Sequence, residues 1–94
     1  MSRPNAGEPP DAVELLLAEV EGCESTVLVY PTGGKPVVDV RADGRWCIAV
    51  VRERHDYQGR TAYRVIFDPG TGHHVIRTYW WPSPGLRHRF SPPR

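Results

Sequence analysis

Trp46, Tyr57, Tyr63, Phe67, Tyr79, Trp80, Trp81 and Phe90 all fall beyond residue 44, interleaved with Arg45, Arg52, Arg64, Arg77 and Arg87. Flat rings beside guanidinium groups can stack bases, hold a cationic head group or grip a proline-rich peptide. The competing use is packing, because a small β domain has few other large side chains to fill its core. The run Tyr79-Trp80-Trp81 separates the two uses. Successive residues of a strand point to opposite faces, so all three cannot share one core, and at least one is expected at a surface or interface. The binding candidates are therefore Trp46, Tyr63, Phe67, Tyr79, Trp80 and Trp81. Arg52, Arg64, Arg77 and Arg87 are the candidate polyanion contacts.

Other chemistry is poorly provided for. Ser2, Ser25, Ser83 and Ser91 lie in the opening residues, beside a helix exit or in proline-rich turns, and no Gly-x-Ser-x-Gly elbow occurs. Cys47 sits among apolar residues of a β-patterned run, where a thiol is ordinarily inert packing. Among His55, His73, His74 and His88, the adjacent pair would point to opposite strand faces and could not share an ion. His74, His88 and Cys47 are the least implausible ligand set, and no metal is expected. Glu53 and Asp56 flank an arginine-rich stretch and read as solvated ion-pair partners. There is no P-loop, dinucleotide fingerprint or helical His-Glu-x-x-His. The expectation is a chain that is not an enzyme and carries no cofactor.

These side chains must be positioned by one small domain. The chain has 94 residues, 39% hydrophobic and 24% charged, too few for a second core. No run reaches the roughly 18 apolar residues of a membrane span, and the opening residues lack the apolar stretch of a signal peptide. A cytoplasmic location is expected, with Cys23 and Cys47 reduced. The formal net charge of +1 conceals a division. Up to residue 44, Arg3, Lys35 and Arg41 are outnumbered by Glu8, Asp11, Glu14, Glu19, Glu21, Glu24, Asp39 and Asp43. Beyond it, arginines dominate and only Glu53, Asp56 and Asp68 oppose them. The acidic half is expected to lie against the basic half, the alternative being a basic surface meant for a polyanion.

Pro4, Gly7, Pro9 and Pro10 predict a disordered tail over residues 1–10, and residues 91–94 form a second tail. Between them, 11–90 reads as a single domain. Asp11 as N-cap, Glu14 three residues on and Gly22 as a stop predict a helix over 11–21. Its stripe of Val13, Leu16, Leu17 and Val20 should dock on the sheet. The period then changes to two. Strands are predicted over 25–30, 37–41, 46–54, 61–67 and 74–81, separated by turn chemistry at Pro31-Thr32-Gly33-Gly34, Asp43-Gly44, His55 to Gly59 and Pro69 to Gly72. Alternation sets Cys47, Ala49 and Val51 against Trp46, Ile48, Val50 and Arg52 in the third strand, and Tyr63, Val65 and Phe67 against Ala62, Arg64 and Ile66 in the fourth. In the fifth, Val75, Arg77, Tyr79 and Trp81 oppose Ile76, Thr78 and Trp80; the third and fifth strands are apolar on both faces, so a second face must be covered by the helix, a second subunit or a ligand. The fold class is mainly β with one N-terminal α-helix, a small antiparallel SH3-like barrel or a strongly bent sheet.

The stretch from Val37 to Arg87 resembles the SH3-like barrels of the Tudor and Agenet type. The resemblance is carried by Ala42-Asp43-Gly44-Arg45-Trp46 before Cys47-Ile48-Ala49-Val50-Val51, by Tyr63-Arg64-Val65-Ile66-Phe67-Asp68, and by Leu86-Arg87. It implies rim aromatics that bind a peptide, a methylated side chain or nucleic acid, with Trp46 and Phe67 on the rim and Ala49 and Val51 in the core. Pro69-Gly70-Thr71 stands where the Tudor pattern has tyrosine, glycine and asparagine.

The expected function is a regulatory, non-catalytic protein-interaction module with a protein or peptide partner and no membrane. A nucleic-acid-binding barrel using the arginine-rich half is the alternative. The uncharged run Thr26-Val27-Leu28-Val29-Tyr30 does nothing to discourage edge pairing, so a homodimer is expected.

Overall fold

The chain alternates β-branched and aromatic residues with glycine-containing turns from Ser25 onward, and a computed structural model, which describes residues 9–89, folds them into one antiparallel sheet. A short helix, α1 (Leu17–Val20), precedes β1 (Ser25–Val29), β2 (Val37–Ala42), β3 (Arg45–Tyr57), β4 (Arg60–Phe67), β5 (Val75–Trp81) and β6 (Leu86–His88). The order across the sheet is β5-β4-β3-β2-β6, with β1 also paired to β3. The long β3 is thus the spine. One of its sides carries β4, and the other carries β2 and β1 end to end, Val37↔Val50 in the first and Ser25↔Tyr57 in the second.

Turn residues fix these registers. Asp43 and Gly44 have φ of 53° and 75°, the left-handed pair that a two-residue hairpin needs to follow strand twist. A bulge between Val51 and Glu53 leaves Arg52 without a partner on β4 and bends the spine. The sheet is strongly bent and not closed into a barrel. Its concave face holds Val38, Val40, Ala49, Val51, Val65, Phe67, Tyr79 and Leu86, all buried. Ala49 and Val51 of β3 and Tyr63, Val65 and Phe67 of β4, which alternation sets on one side of each strand, are in this core.

Two features depart from the sequence reading. The strand β6 was not anticipated; it follows Pro82 and Pro84 and pairs with β2 through Val40↔Leu86. The helix is confined to Leu17–Val20 instead of 11–21. Asp11 does not cap it, because its carboxylate accepts the N–H groups of Asp43 (2.9 Å) and Gly44 (3.0 Å) at the tip of the hairpin. Residues 12–15 find better partners on strand edges than in a helical turn. Ala12 donates to the Arg41 carbonyl (2.8 Å) and Leu15 to that of Thr78 (2.9 Å), while Trp80 donates to the Val13 carbonyl (3.0 Å). Glu19, not Glu14, caps the start of the helix, its carboxylate accepting from the Leu16 N–H at 3.0 Å, with no side-chain bond in return from Leu16. Tertiary hydrogen bonds outweigh a local propensity of a few tenths of a kcal/mol per residue. The tails expected at 91–94 and over most of 1–10 lie outside the described residues, as does Phe90.

The connection after β4 is held by Asp68, whose Oδ1 accepts the N–H groups of Gly70 (2.8 Å), Thr71 (2.9 Å) and Gly72 (3.2 Å). These donors hold the carboxyl below its ordinary value. A group lowered in the folded state stabilises above its unfolded pKa, near 3.9, and loses that contribution as pH falls through the folded value. Asp68→Asn is therefore expected to melt below the parent at neutral pH, with the gap closing under acid. Thermal melts at pH 7 and pH 2.5 check this, and a gap as large at pH 2.5 as at pH 7 contradicts it.

Candidate protein interface

Burial removes most of the sequence-predicted aromatics from contention as binding residues. Phe67 is 1% exposed, and Tyr63 and Tyr79 are buried with it in the concave core, so the rim position implied for Phe67 is corrected to a packing one. The cause is register: Tyr63↔Tyr79 and Phe67↔Val75 point the same way as Val65, into the bend of the sheet. Burial also pushes the Tyr79 hydroxyl above its ordinary value, against the pull of Arg77 beside it. Trp80 occupies the opposite face yet is only 4% exposed. The Arg60 guanidinium lies 3.5 Å over its ring, the Tyr57 ring meets it edge-on at 5.8 Å, and its indole N–H reaches Glu19 at 3.5 Å. These residues and Cys23 line an open cleft of about 900 Å³ between α1 and the β3–β4 turn.

Trp46 and Trp81 are part-buried. Trp81 packs against Tyr63 (5.5 Å) and His88 (4.6 Å) at the end of the core. Trp46 lies on the outer face of β2 and β3 beneath Arg87, 3.9 Å from its ring, next to Ile48, which is 59% exposed. The three aromatics at 79 to 81 thus divide among the core, a face covered by Arg60, and the core margin.

The candidate polyanion arginines are not gathered on one surface. Arg64 lies 3.9 Å from Glu53, Arg77 lies 5.6 Å over the Phe67 ring, and Arg87 pairs with Asp39 at 3.5 Å. Arg89 joins Asp39 at 3.0 Å and Arg60 reaches Glu19 at 3.9 Å. At those pairs the acidic half of the sequence does meet the basic half. Arg52, exposed at the bulge, makes no side-chain ion pair among the described residues. Cys23 is exposed, Cys47 is part-buried, and both are free. Among the described residues no cluster of His, Cys, Asp and Glu is arranged to hold a metal ion, and no helix is long and apolar enough to cross a membrane.

Among the described residues, β1 joins exposed aliphatic side chains to an unpaired strand edge. All its residues are exposed, including Val27, Leu28 and Val29, the last at 65%. Its backbone is only half satisfied. Tyr30 donates to the Arg52 carbonyl at 3.1 Å, continuing the Ser25↔Tyr57 register, so the alternate residues Leu28 and Thr26 also turn their N–H and C=O toward β3. Ser25, Val27 and Val29 turn theirs outward, where no other strand pairs among the described residues. The absence of charge from Ser25 to Tyr30 marked this edge in the sequence. Leu16 and Leu17 were expected to be docked, but Leu17 is 83% exposed because the turn that carries them begins only after the chain has left β5. Helical spacing gave no signal of that. No protein-family model matches the chain, and no curated protein or solved structure does.

Proposed function

We propose that this chain is a non-catalytic protein-interaction module that offers the outer edge of β1 to an extended segment of a partner protein, or of a second copy of itself. The observation that carries the reading is the row of outward backbone groups at Ser25, Val27 and Val29, flanked by exposed aliphatic side chains and free of charge. Strand addition uses those groups for affinity and the alternating side chains for selectivity. Proteins that do not use such an edge protect it with charge, proline or a covering loop; β1 carries no charge and no proline, and no other strand pairs its outer side among the described residues. The aromatic residues build the scaffold that holds the edge. Kinship with the Tudor and Agenet barrels rests on the quoted sequence elements alone, and a regulatory role and a cytoplasmic location belong to this proposal as well.

The nucleic-acid alternative has one supporting feature, the stack of Arg87 on Trp46 with Arg89 nearby. Asp39 already engages both guanidinium groups, which lowers the charge available to phosphate.

A displayed library of random peptides distinguishes these readings. The parent chain is expected to select extended, alternating apolar sequences, and Val27→Pro to lose them while keeping its fold. The Val27 N–H faces outward, so proline there removes a donor from the free edge and none from the β1–β3 ladder. Selection that survives Val27→Pro but is lost in Trp46→Ala overturns the proposal in favour of the Trp46 face.

A further inference from the structure

The edge of β1 carries charge at its two ends. Glu21 and Glu24 lie before it, both exposed, and neither has a side-chain partner among the described residues. After it comes Lys35, whose ammonium sits 3.1 Å from the Tyr30 carbonyl; the exposed Arg52 lies across Tyr30 on β3, away from the open edge. The edge is therefore acidic where β1 begins, neutral along its length and basic where it ends.

That arrangement is self-complementary under a two-fold axis. We infer that the segment received by β1 is β1 of a second copy, running antiparallel with Val27 on the axis. This rests on the reading of β1 as the contact edge and names its occupant. In this register Val27 faces Val27 of the other copy, and Ser25 faces Val29. These are the residues whose N–H and C=O groups point outward, so every outward group finds a partner and none is left over. A shift of one residue would set outward groups against inward ones. On one face the Val27 side chains of the two copies meet; on the other, Leu28 packs beside Thr26. Beyond the strand, Glu24 stands opposite Tyr30 of the second copy, beside the Lys35 ammonium held there. The acidic end of each copy meets the basic end of the other, twice by symmetry. A parallel arrangement would instead set like ends together. Two six-stranded sheets would become one continuous sheet.

Sedimentation equilibrium of the full chain tests this with two charge reversals. Glu24→Lys places lysine against Lys35 at both ends of the dimer, and Lys35→Glu places glutamate against Glu24. Each variant alone is expected to self-associate roughly tenfold more weakly than the parent. Mixed one to one, they restore opposite charges at both ends of the mixed dimer, and the mixture is expected to associate with about half the parent's apparent constant, roughly fivefold above either variant alone. Circular dichroism of each variant verifies that the fold is intact. A parent chain that sediments only as a 10.6 kDa species at high micromolar concentration overturns the inference, as does a mixture that associates no better than its components. The broader reading can fail separately. If the chain is monomeric but Val27→Pro still abolishes peptide selection, the edge takes a foreign strand and only the second copy is excluded.

Discussion

Phe67→Ala is expected to remove roughly half of the stability of the chain. The ring is 1% exposed, inside the bend of the sheet and 6.2 Å from the Tyr79 ring. Replacing a buried phenylalanine by alanine costs about 3–5 kcal/mol, because neighbours collapse only partly into the space left behind. A domain of this size is stable by roughly 5–10 kcal/mol, so one substitution removes much of the margin. Trp46→Ala supplies the contrast. Trp46 lies part-buried on the outer face, and its truncation loses partial burial and the stack with Arg87, a cost of about 1–2 kcal/mol. Urea unfolding followed by circular dichroism measures both changes. A Phe67→Ala chain as stable as its parent would return Phe67 to the exposed rim that the Tudor-like pattern implies.

Gly85→Ala should be nearly as damaging, for a reason invisible in the sequence. Gly85 is buried between the N-terminal segment and β2, and its carbonyl accepts the Arg41 N–H at 2.7 Å. A β-carbon there would overlap the backbone of Asp11 and Ala12, which cannot rotate away as a side chain could. The segment must lift from the sheet. It then loses the bonds from Ala12 to Arg41, from Trp80 to Val13 and from Leu15 to Thr78, together with those between Asp11 and the hairpin tip. At about 0.5–1.5 kcal/mol each, partly offset by regained chain entropy, the loss is roughly 2–4 kcal/mol. Deleting residues 1–15 should cost a similar amount, and adding Gly85→Ala to the deletion should cost little more, since both act on one contact. Additive losses would mean that the glycine matters for something other than this docking.

The strands were legible because their signals are local. Period-two alternation grouped Ala49 with Val51 and Tyr63 with Val65 and Phe67, though not which side is buried, and Asp43-Gly44 gave the hairpin. The neutral run in β1 gave the open edge. What could not be read was decided by distant partners. Asp11 and Glu14 are a sound helix start in isolation, yet Asp11 is recruited by a hairpin 32 residues away. Bulky aromatics near arginines suggested a binding surface, but the pairing of β4 with β5 decides which way each ring points. Trp80 escaped both readings: alternation places it on the second face, and only Arg60, Tyr57 and Glu19 explain why that face is still covered. β6 lay between prolines and was too short to show a period.

The most direct test of β1 as the contact surface is amide hydrogen exchange, read residue by residue by NMR, as the chain is titrated with a peptide selected from the displayed library. The Thr26 and Leu28 amides face β3 and should be protected throughout, whereas those of Ser25, Val27 and Val29 should exchange quickly when the chain is diluted to the monomer and slow as peptide fills the edge. Outward amides that exchange at the same rate at saturation, with new protection confined to Trp46, Ile48 and Arg87, would contradict the account.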